Sequence, residues 1–314
     1  MFERNKFVPA IINVSNLIKN YGNVKAVKGI DFYVNEGDLF AFLGPNGAGK
    51  TTTIDVICTL LKPDSGTVTV NGYKLGEQDD KIRKSIGVVF QDSILDSLLT
   101  VKENLYTRGS FYGLTSRELS AAVEKASKAA GVVSFINRPY GKLSGGQRRR
   151  SDIARALTHT PKILFLDEPT TGLDPQTRKS VWDTIRSLQK GTGMTVFLTT
   201  HYMEEAANAD YVSVIDNGLI SASGTPAELR AKYSTDLLHL FPKDNGKLAA
   251  FLNEQSIKYT ISGGAFIIPV LDTLNALPII NKVESLISGF EVISGSMDDA
   301  FVNITGNAMR EDGM

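Results

Sequence analysis

The chain has one cysteine, Cys58. A single thiol cannot build an internal disulfide framework, which suits a reducing compartment and leaves the fold to rest on packing. Long apolar runs are also missing. A membrane helix needs roughly 18 to 20 consecutive apolar residues; the longest candidates here, such as Ala265 to Leu271 with its internal Pro269, have the length of a strand. The opening stretch, Met1 to Pro9, mixes charges and carries no apolar signal core. The chain is therefore expected to stay in the cytoplasm, and any membrane process it serves needs another polypeptide to cross the bilayer. Excess charge of either sign is absent too. Lys plus Arg and Asp plus Glu both total 34. No basic field marks nucleic acid as the main partner, and none is expected.

What is present is a chain of 314 residues, 42% hydrophobic and 22% charged, suited to a soluble protein with one large and one small domain. Val24 to Val34 and Gly66 to Val70 are rich in β-branched and aromatic residues and lie between turn signals such as Tyr21-Gly22 and Asn71-Gly72. Leu39 to Leu43, Lys162 to Leu166 and Met194 to Leu198 are continuous apolar runs, as in a parallel sheet covered on both faces. Thr51 to Leu61 and Thr177 to Lys190 read as helices, giving an α/β alternation. From about Gln91 to Arg138, Leu119, Ala122, Val123, Ala126, Ala129 and Ala130 repeat at helical spacing, which predicts an inserted helical subdomain. After Ser234 the order of elements becomes β-α-β-β-α-β, the pattern of a small ferredoxin-like domain. The expected organisation is a large domain over 10–230 and an accessory domain over 234–314.

The strongest local signal is Gly44-Pro45-Asn46-Gly47-Ala48-Gly49-Lys50-Thr51. An apolar strand precedes it and a helix follows, as a P-loop requires. Glycines let the backbone turn tightly and aim N–H groups inward, and the helix N-terminus adds partial positive charge for phosphate. Lys50 is placed for the β- and γ-phosphates of a nucleotide and Thr51 for Mg²⁺, with Thr52 beside it. A second signal is the apolar strand that ends in Asp167-Glu168. Two carboxylates at the C-terminal end of a buried strand sit where open α/β sheets bind ligands. Asp167 is the candidate Mg²⁺ ligand and Glu168 the candidate group that polarises an attacking water.

These two signals define a P-loop NTPase. The third, Leu143-Ser144-Gly145-Gly146-Gln147 ahead of an apparent helix, resembles the signature of the ABC ATPase family. Ser144, Gly145, Gly146 and Gln147 would form a second anion cradle at a helix start. The resemblance covers roughly residues 10 to 230 and implies further roles. Tyr21 is similar to the aromatic that stacks on adenine. Gln91 is similar to the glutamine that senses Mg²⁺ and the attacking water, Gly172-Leu173-Asp174 to the loop that links two active sites, and His201 to the histidine that contacts the γ-phosphate. The implied fold is a P-loop NTPase core with an N-terminal antiparallel β subdomain and the inserted helical subdomain. Ser151 departs from the family pattern, where an apolar residue is usual, and a packing effect is expected. Arg148 to Arg150 read as a solvated basic face, with interface contacts as the second reading.

The family builds its sites between the P-loop of one subunit and the signature of another, so the implied partners are a second copy or a paired ATPase subunit. A multi-span membrane permease completes a transporter, with this chain peripheral at the inner face of the membrane, hydrolysing ATP with Mg²⁺. Ser97 to Leu105 and the tail segment Met297 to Phe301 resemble the drug-resistance and antibiotic-exporting branch. The alternative reading is a soluble ABC-type ATPase, of the translation or chromosome-maintenance kind. The chain carries one cassette and no long heptad segment. A GTPase reading of Asn281-Lys282-Val283-Glu284 fails because the final Asp of a guanine motif is missing.

Overall fold

The computed structural model describes residues 10–306, so the Met1 to Pro9 stretch lies outside the described residues. The described residues open with two long strands, β1 (Ala10–Tyr21) and β2 (Val24–Asn35), followed by β3 (Leu39–Leu43), α1 (Lys50–Ile57), β4 (Ser65–Val70), β5 (Tyr73–Lys74), α2 (Asp79–Ser85) and β6 (Ile86–Val89). Helices α3 (Val101–Gly109), α4 (Ser116–Ala129) and α5 (Gly145–Ala156) come next. Then β7 (Ile163–Asp167), α6 (Pro175–Thr192), β8 (Thr195–Thr200), α7 (Met203–Ala207), β9 (Tyr211–Asp216) and β10 (Leu219–Gly224) complete the first part.

Two sheets share its core. The order β2-β1-β4-β5 is antiparallel throughout. The second sheet runs β10-β9-β3-β8-β7-β6, with parallel pairing from β9 to β6. Every side chain of β3 and β7 is buried, which explains their unbroken apolar runs. Phe32 of β2 stacks 5.7 Å from Phe40 of β3, and Phe40 lies 5.0 Å from Phe197 of β8. This aromatic layer joins the antiparallel sheet to the central one, each ring contributing roughly 1.5–3 kcal/mol by burial.

The helical segment is set by its caps. Thr100 and Thr115 each close a capping box, with Glu103 and Glu118 reaching back to the cap N–H. Leu119, Val123 and Ala126 give α4 its buried stripe. One expected helix is shorter than its apolar run. Helix α1 ends at Ile57, because Thr59 turns to φ +66° and the N–H groups of Leu60 and Leu61 both fold back to the Asp55 carbonyl.

The chain divides into two compact units between Ser223 and Gly224, earlier than composition indicates. The reason is α8 (Pro226–Tyr233), which starts at a Thr225 capping box and is held by the C-terminal helix: Asn303 Nδ2 donates to the Tyr233 carbonyl at 2.8 Å. The second unit continues with β11 (Asp236–Pro242), α9 (Asn245–Glu254), β12 (Thr260–Ser262), β13 (Ala265–Val270), α10 (Leu277–Val283), β14 (Ile287–Ile293) and α11 (Met297–Thr305). Its antiparallel sheet has the order β12-β13-β11-β14, the ferredoxin-like arrangement. The single helix expected over Leu274 to Ile287 is instead α10 flanked by 3₁₀ turns. Leu238, Leu240, Leu248, Leu252, Phe266 and Val283 form a core of its own.

Candidate functional site

The site lies at the C-terminal ends of β3, β7 and β8, where an open parallel sheet gathers ligands. The loop from Gly44 to Gly49 joins β3 to α1 and has no room for side chains at two points. A Cβ on Gly44 would sit 2.3 Å from the Ile215 carbonyl, and Gly49 adopts φ +106° with a virtual Cβ 2.6 Å from the Ala26 carbonyl. The Gly218 N–H donates to the Ala48 carbonyl, fastening the loop to the β9–β10 turn.

Lys50 is buried at the first position of α1. Its Nζ donates to the carbonyls of Gly44 at 2.9 Å and Pro45 at 3.1 Å and pairs with Glu168 Oε1 at 3.2 Å. Burial pushes this ammonium below the ordinary lysine value, and the carboxylates of Glu168 and Asp167 pull it back up. Glu168 Oε1 also faces His201 Nδ1 at 3.4 Å. The His201 ring beside it, followed by Lys50, holds the Glu168 carboxyl down at about 2 against the opposing effect of burial.

Asp167 and Glu168 point into the site from one strand end, and a threonine on β8 holds both. Thr199 Oγ1 accepts the Glu168 N–H at 3.0 Å and donates to Asp167 Oδ1. Thr51 Oγ1 donates to Asp167 Oδ2 at 3.2 Å. The hydroxyl and carboxylate expected to share a cation are thus adjacent, and both are hard oxygen donors of the kind Mg²⁺ prefers. No group of three His, Cys, Asp or Glu clusters among the described residues, so a cation here would complete its shell with phosphate oxygens and water.

Ser144 caps α5: its Oγ accepts the Gln147 N–H at 3.4 Å while Gln147 Oε1 accepts the Ser144 N–H at 3.1 Å. The glycines between them are dictated by α6 and the loop before it. A Cβ on Gly146 would meet Thr177 Cγ2 at 2.3 Å, and one on Gly145 would meet Leu173 Cδ2 at 2.9 Å. Leu173 belongs to the Gly172-Leu173-Asp174 loop, whose Asp174 caps α6 through the Thr177 N–H at 3.0 Å. Ser144 and Gly145 are exposed.

Not every candidate is drawn into this cluster. Gln91 is exposed in the bend after β6, and Thr52 is half-buried beside Thr51; neither side chain appears in a hydrogen bond or ion pair among the described residues. Tyr21 is 48% exposed at the end of β1, with Lys19 Nζ 5.9 Å from its ring centre. Ser151 is fully buried and its hydroxyl returns to the Gln147 carbonyl at 2.8 Å, which satisfies the polar group inside its helix.

The expected solvated face at Arg148 to Arg150 needs correction. Arg149 is buried, and its guanidinium donates to the carbonyls of Phe90, Asp167, Glu168 and Pro169. Arg148 is exposed, donates to the Gly141 carbonyl at 2.7 Å and lies over the Tyr140 ring, while half-buried Arg150 lies over Phe135. The signal was in the helical phase: Gly146, Arg149, Ile153 and Ala156 share the buried side of α5.

A phosphate-binding loop, a strand-end acid pair and a following histidine define a P-loop nucleotide hydrolase. The particular family comes from comparison. A family profile described as ABC transporter matches residues 27–171. Daunorubicin resistance ATP-binding protein DrrA3 of Streptomyces coeruleorubidus is 37% identical, over 95% of this chain and 97% of its own length. The Nod factor export ATP-binding protein I of Burkholderia lata is 35% identical, over 96% of this chain and 99% of its own. A solved dimeric, post-hydrolysis structure of the ATP-binding cassette MJ0796 with ADP and phosphate superposes with a TM-score of 0.61 at 30% identity, covering 68% of this chain and 98% of that one. The chain belongs to the ABC transporter ATP-binding subunits, in the branch of drug-resistance and export proteins, and it is an ATPase.

Proposed function

We propose that the chain drives export by closing on ATP with a second ATPase subunit, identical or paired, and opening after hydrolysis, while a separate multi-span permease carries the substrate. The observation that carries this reading is the convergence of Lys50, Glu168 and His201 on one point beside Thr51 and Asp167. No described helix is long and apolar enough to cross a membrane, and the chain would act in the cytoplasm, at the inner face of the membrane, through that permease.

In this reading the N–H groups from Gly44 to Thr51 and the Lys50 ammonium bind the β- and γ-phosphates. Tyr21, on its open ring face, stacks on the base. The γ-phosphate enters where the Glu168 carboxylate now meets Lys50 and His201, and takes the Lys50 ammonium and the His201 ring as its partners. Glu168, freed from them, turns to the attacking water and orients it for in-line attack, with Gln91 closing in from its bend. The water oxygen bonds to phosphorus as the bond to the β-phosphate oxygen breaks, the water's proton leaves by way of the Glu168 carboxylate to solvent, and ADP and phosphate result. Mg²⁺, when bound through Thr51, Asp167 and Gln91, supplies charge for the phosphate oxygens. Ser144 and the glycine N–H groups that follow reach the γ-phosphate held by the other subunit, so ATP is the adhesive between the two.

The test is Glu168→Gln. It should keep ATP binding, lose hydrolysis by about 10²-fold or more, and elute as a dimer when ATP is present. Hydrolysis at the native rate would exclude the assigned role. Copurification with a membrane protein, and ATPase activity raised by that protein's substrate, test the transporter half.

A further inference from the structure

Arg149 sits five residues beyond Ser144 on α5, yet its contacts are all at the other end of the chemistry. Nε donates to the Pro169 carbonyl at 2.5 Å, Nη1 to Phe90 at 2.6 Å, and Nη2 to Asp167 at 3.1 Å and Glu168 at 2.7 Å. A planar guanidinium has five donors in a fixed fork, and here four carbonyls from two chain segments take four of them. Two of those carbonyls matter to the reaction. Phe90 is the residue before Gln91. Glu168 is the residue assigned to orient water, and its backbone is held at φ +43°, a left-handed conformation that non-glycine residues rarely adopt. Thr199 accepts the Glu168 N–H at 3.0 Å and Arg149 donates to the Glu168 carbonyl, so the strained turn that aims the carboxylate is pinned from both sides.

We infer that Arg149 is a positioning residue that couples the two nucleotide sites of the closed dimer. The N-terminus of α5 meets the nucleotide bound by the other subunit, while the same helix, through Arg149, holds the backbone of Glu168 and the start of the Gln91 bend at this subunit's own nucleotide. A shift of α5 driven by one ATP is therefore carried to the geometry that hydrolyses the other. The inference rests on the head-to-tail dimer proposed above.

Arg155 supplies an internal control. It lies on the same helix, is half-buried, and donates to the Val88 carbonyl, two residues short of Phe90 and with no bond to Glu168. The experiment measures ATP hydrolysis against ATP concentration for the full chain, with unfolding midpoints, in native protein, Arg149→Lys and Arg155→Lys. Lysine keeps the charge but offers a point donor in place of the fork. For Arg149→Lys, kcat should fall about tenfold or more with KM little changed, and a native Hill coefficient above unity should drop to unity. Arg155→Lys should keep the native Hill coefficient. The inference is overturned if native hydrolysis is not cooperative, if Arg149→Lys retains kcat and cooperativity, if the two variants lose kcat and stability in parallel, or if Arg149→Lys alone fails to fold, since each outcome leaves Arg149 without a coupling role. Glu168→Gln separates the two levels of failure. If it stays monomeric with ATP, the dimer reading itself is lost; if it dimerises while Arg149→Lys remains cooperative, only the coupling is lost.

Discussion

Oε1 of Glu168 lies 3.2 Å from Nζ of Lys50, and both side chains are almost closed to solvent. With His201 as the larger influence, this keeps the folded carboxyl at about 2, against 4.5 for an ordinary glutamate. A depressed folded pKa means that the ionised form is favoured by folding, so its contribution is complete above 4.5 and disappears as pH falls toward 2. The stability difference between native protein and Glu168→Gln should accordingly hold steady at neutral pH and shrink across that window. Urea unfolding at a series of pH values measures it. A difference unchanged from pH 4.5 to 2 would show that Glu168 is not held by Lys50 and His201.

Metal dependence follows from the neighbouring pair. Thr51 Oγ1 and Asp167 Oδ2 are 3.2 Å apart, and Thr199 holds the other Asp167 oxygen. Thr51→Ala and Thr199→Val each remove one hydroxyl from this group. Both should raise the free Mg²⁺ needed for half-maximal hydrolysis, by about tenfold or more. A Mg²⁺ titration at fixed ATP reads the effect, and chelation should stop hydrolysis in all three proteins. An unchanged Mg²⁺ requirement in Thr51→Ala would remove Thr51 from the cation's shell.

The parts of this site that could be read from sequence are those whose chemistry forces an unusual residue. Gly44 and Gly49 stand where a Cβ has no room, and Asp167-Glu168 ends a strand whose other side chains are apolar, so both motifs stand out against their surroundings. Arg149 was not legible in the same way, because three consecutive arginines on a helix match a solvated face by composition. Its phase on α5 places it with Gly146, Ile153 and Ala156, but the carbonyls of Phe90, Asp167, Glu168 and Pro169 that hold its charge there come from distant segments. Helix α1 was over-extended for a related reason. The apolar run to Leu61 continues the helical pattern, but Leu60 and Leu61 make their backbone bonds to Asp55 after the chain reverses at Thr59. Strand β1 was hidden by a bulge: Ile12, Asn13, Val14 and Ser15 alternate in and out, but Asn16, at φ +48°, adds a residue before buried Leu17 and breaks the period.

The C-terminal unit has a buried set, from Leu238 to Ile287, that belongs to it alone. A chain segment over 224–314 should therefore fold by itself and unfold cooperatively in urea. Leu252, which is fully buried on α9, offers a check: Leu252→Ala should cost that segment about 2–5 kcal/mol. In the full chain the same substitution should leave nucleotide affinity unchanged, since the phosphate loop and its acids lie in the other unit. Loss of ATP binding in Leu252→Ala would mean that the cassette depends on the accessory domain for its fold.

Gly146 makes the sharpest packing prediction. It lies where α5 crosses α6, and a methyl group there would reach within 2.3 Å of Thr177 Cγ2. Neither helix can yield freely, because Ser144 caps one and Asp174 caps the other at this end. Gly146→Ala should therefore cost about 1–3 kcal/mol by overpacking and displace the Ser144 cradle that faces the second subunit. Serine at 177 lacks the offending methyl, and the remaining Thr177 atoms stand at 3.7 and 4.0 Å, ordinary contact distances. Thr177→Ser should thus be nearly silent alone and should recover most of the lost stability and ATPase activity when combined with Gly146→Ala. The double-mutant cycle isolates that term. If the two substitutions were simply additive, the glycine would be needed for close approach of phosphate rather than of α6, and activity would stay lost while stability barely changed.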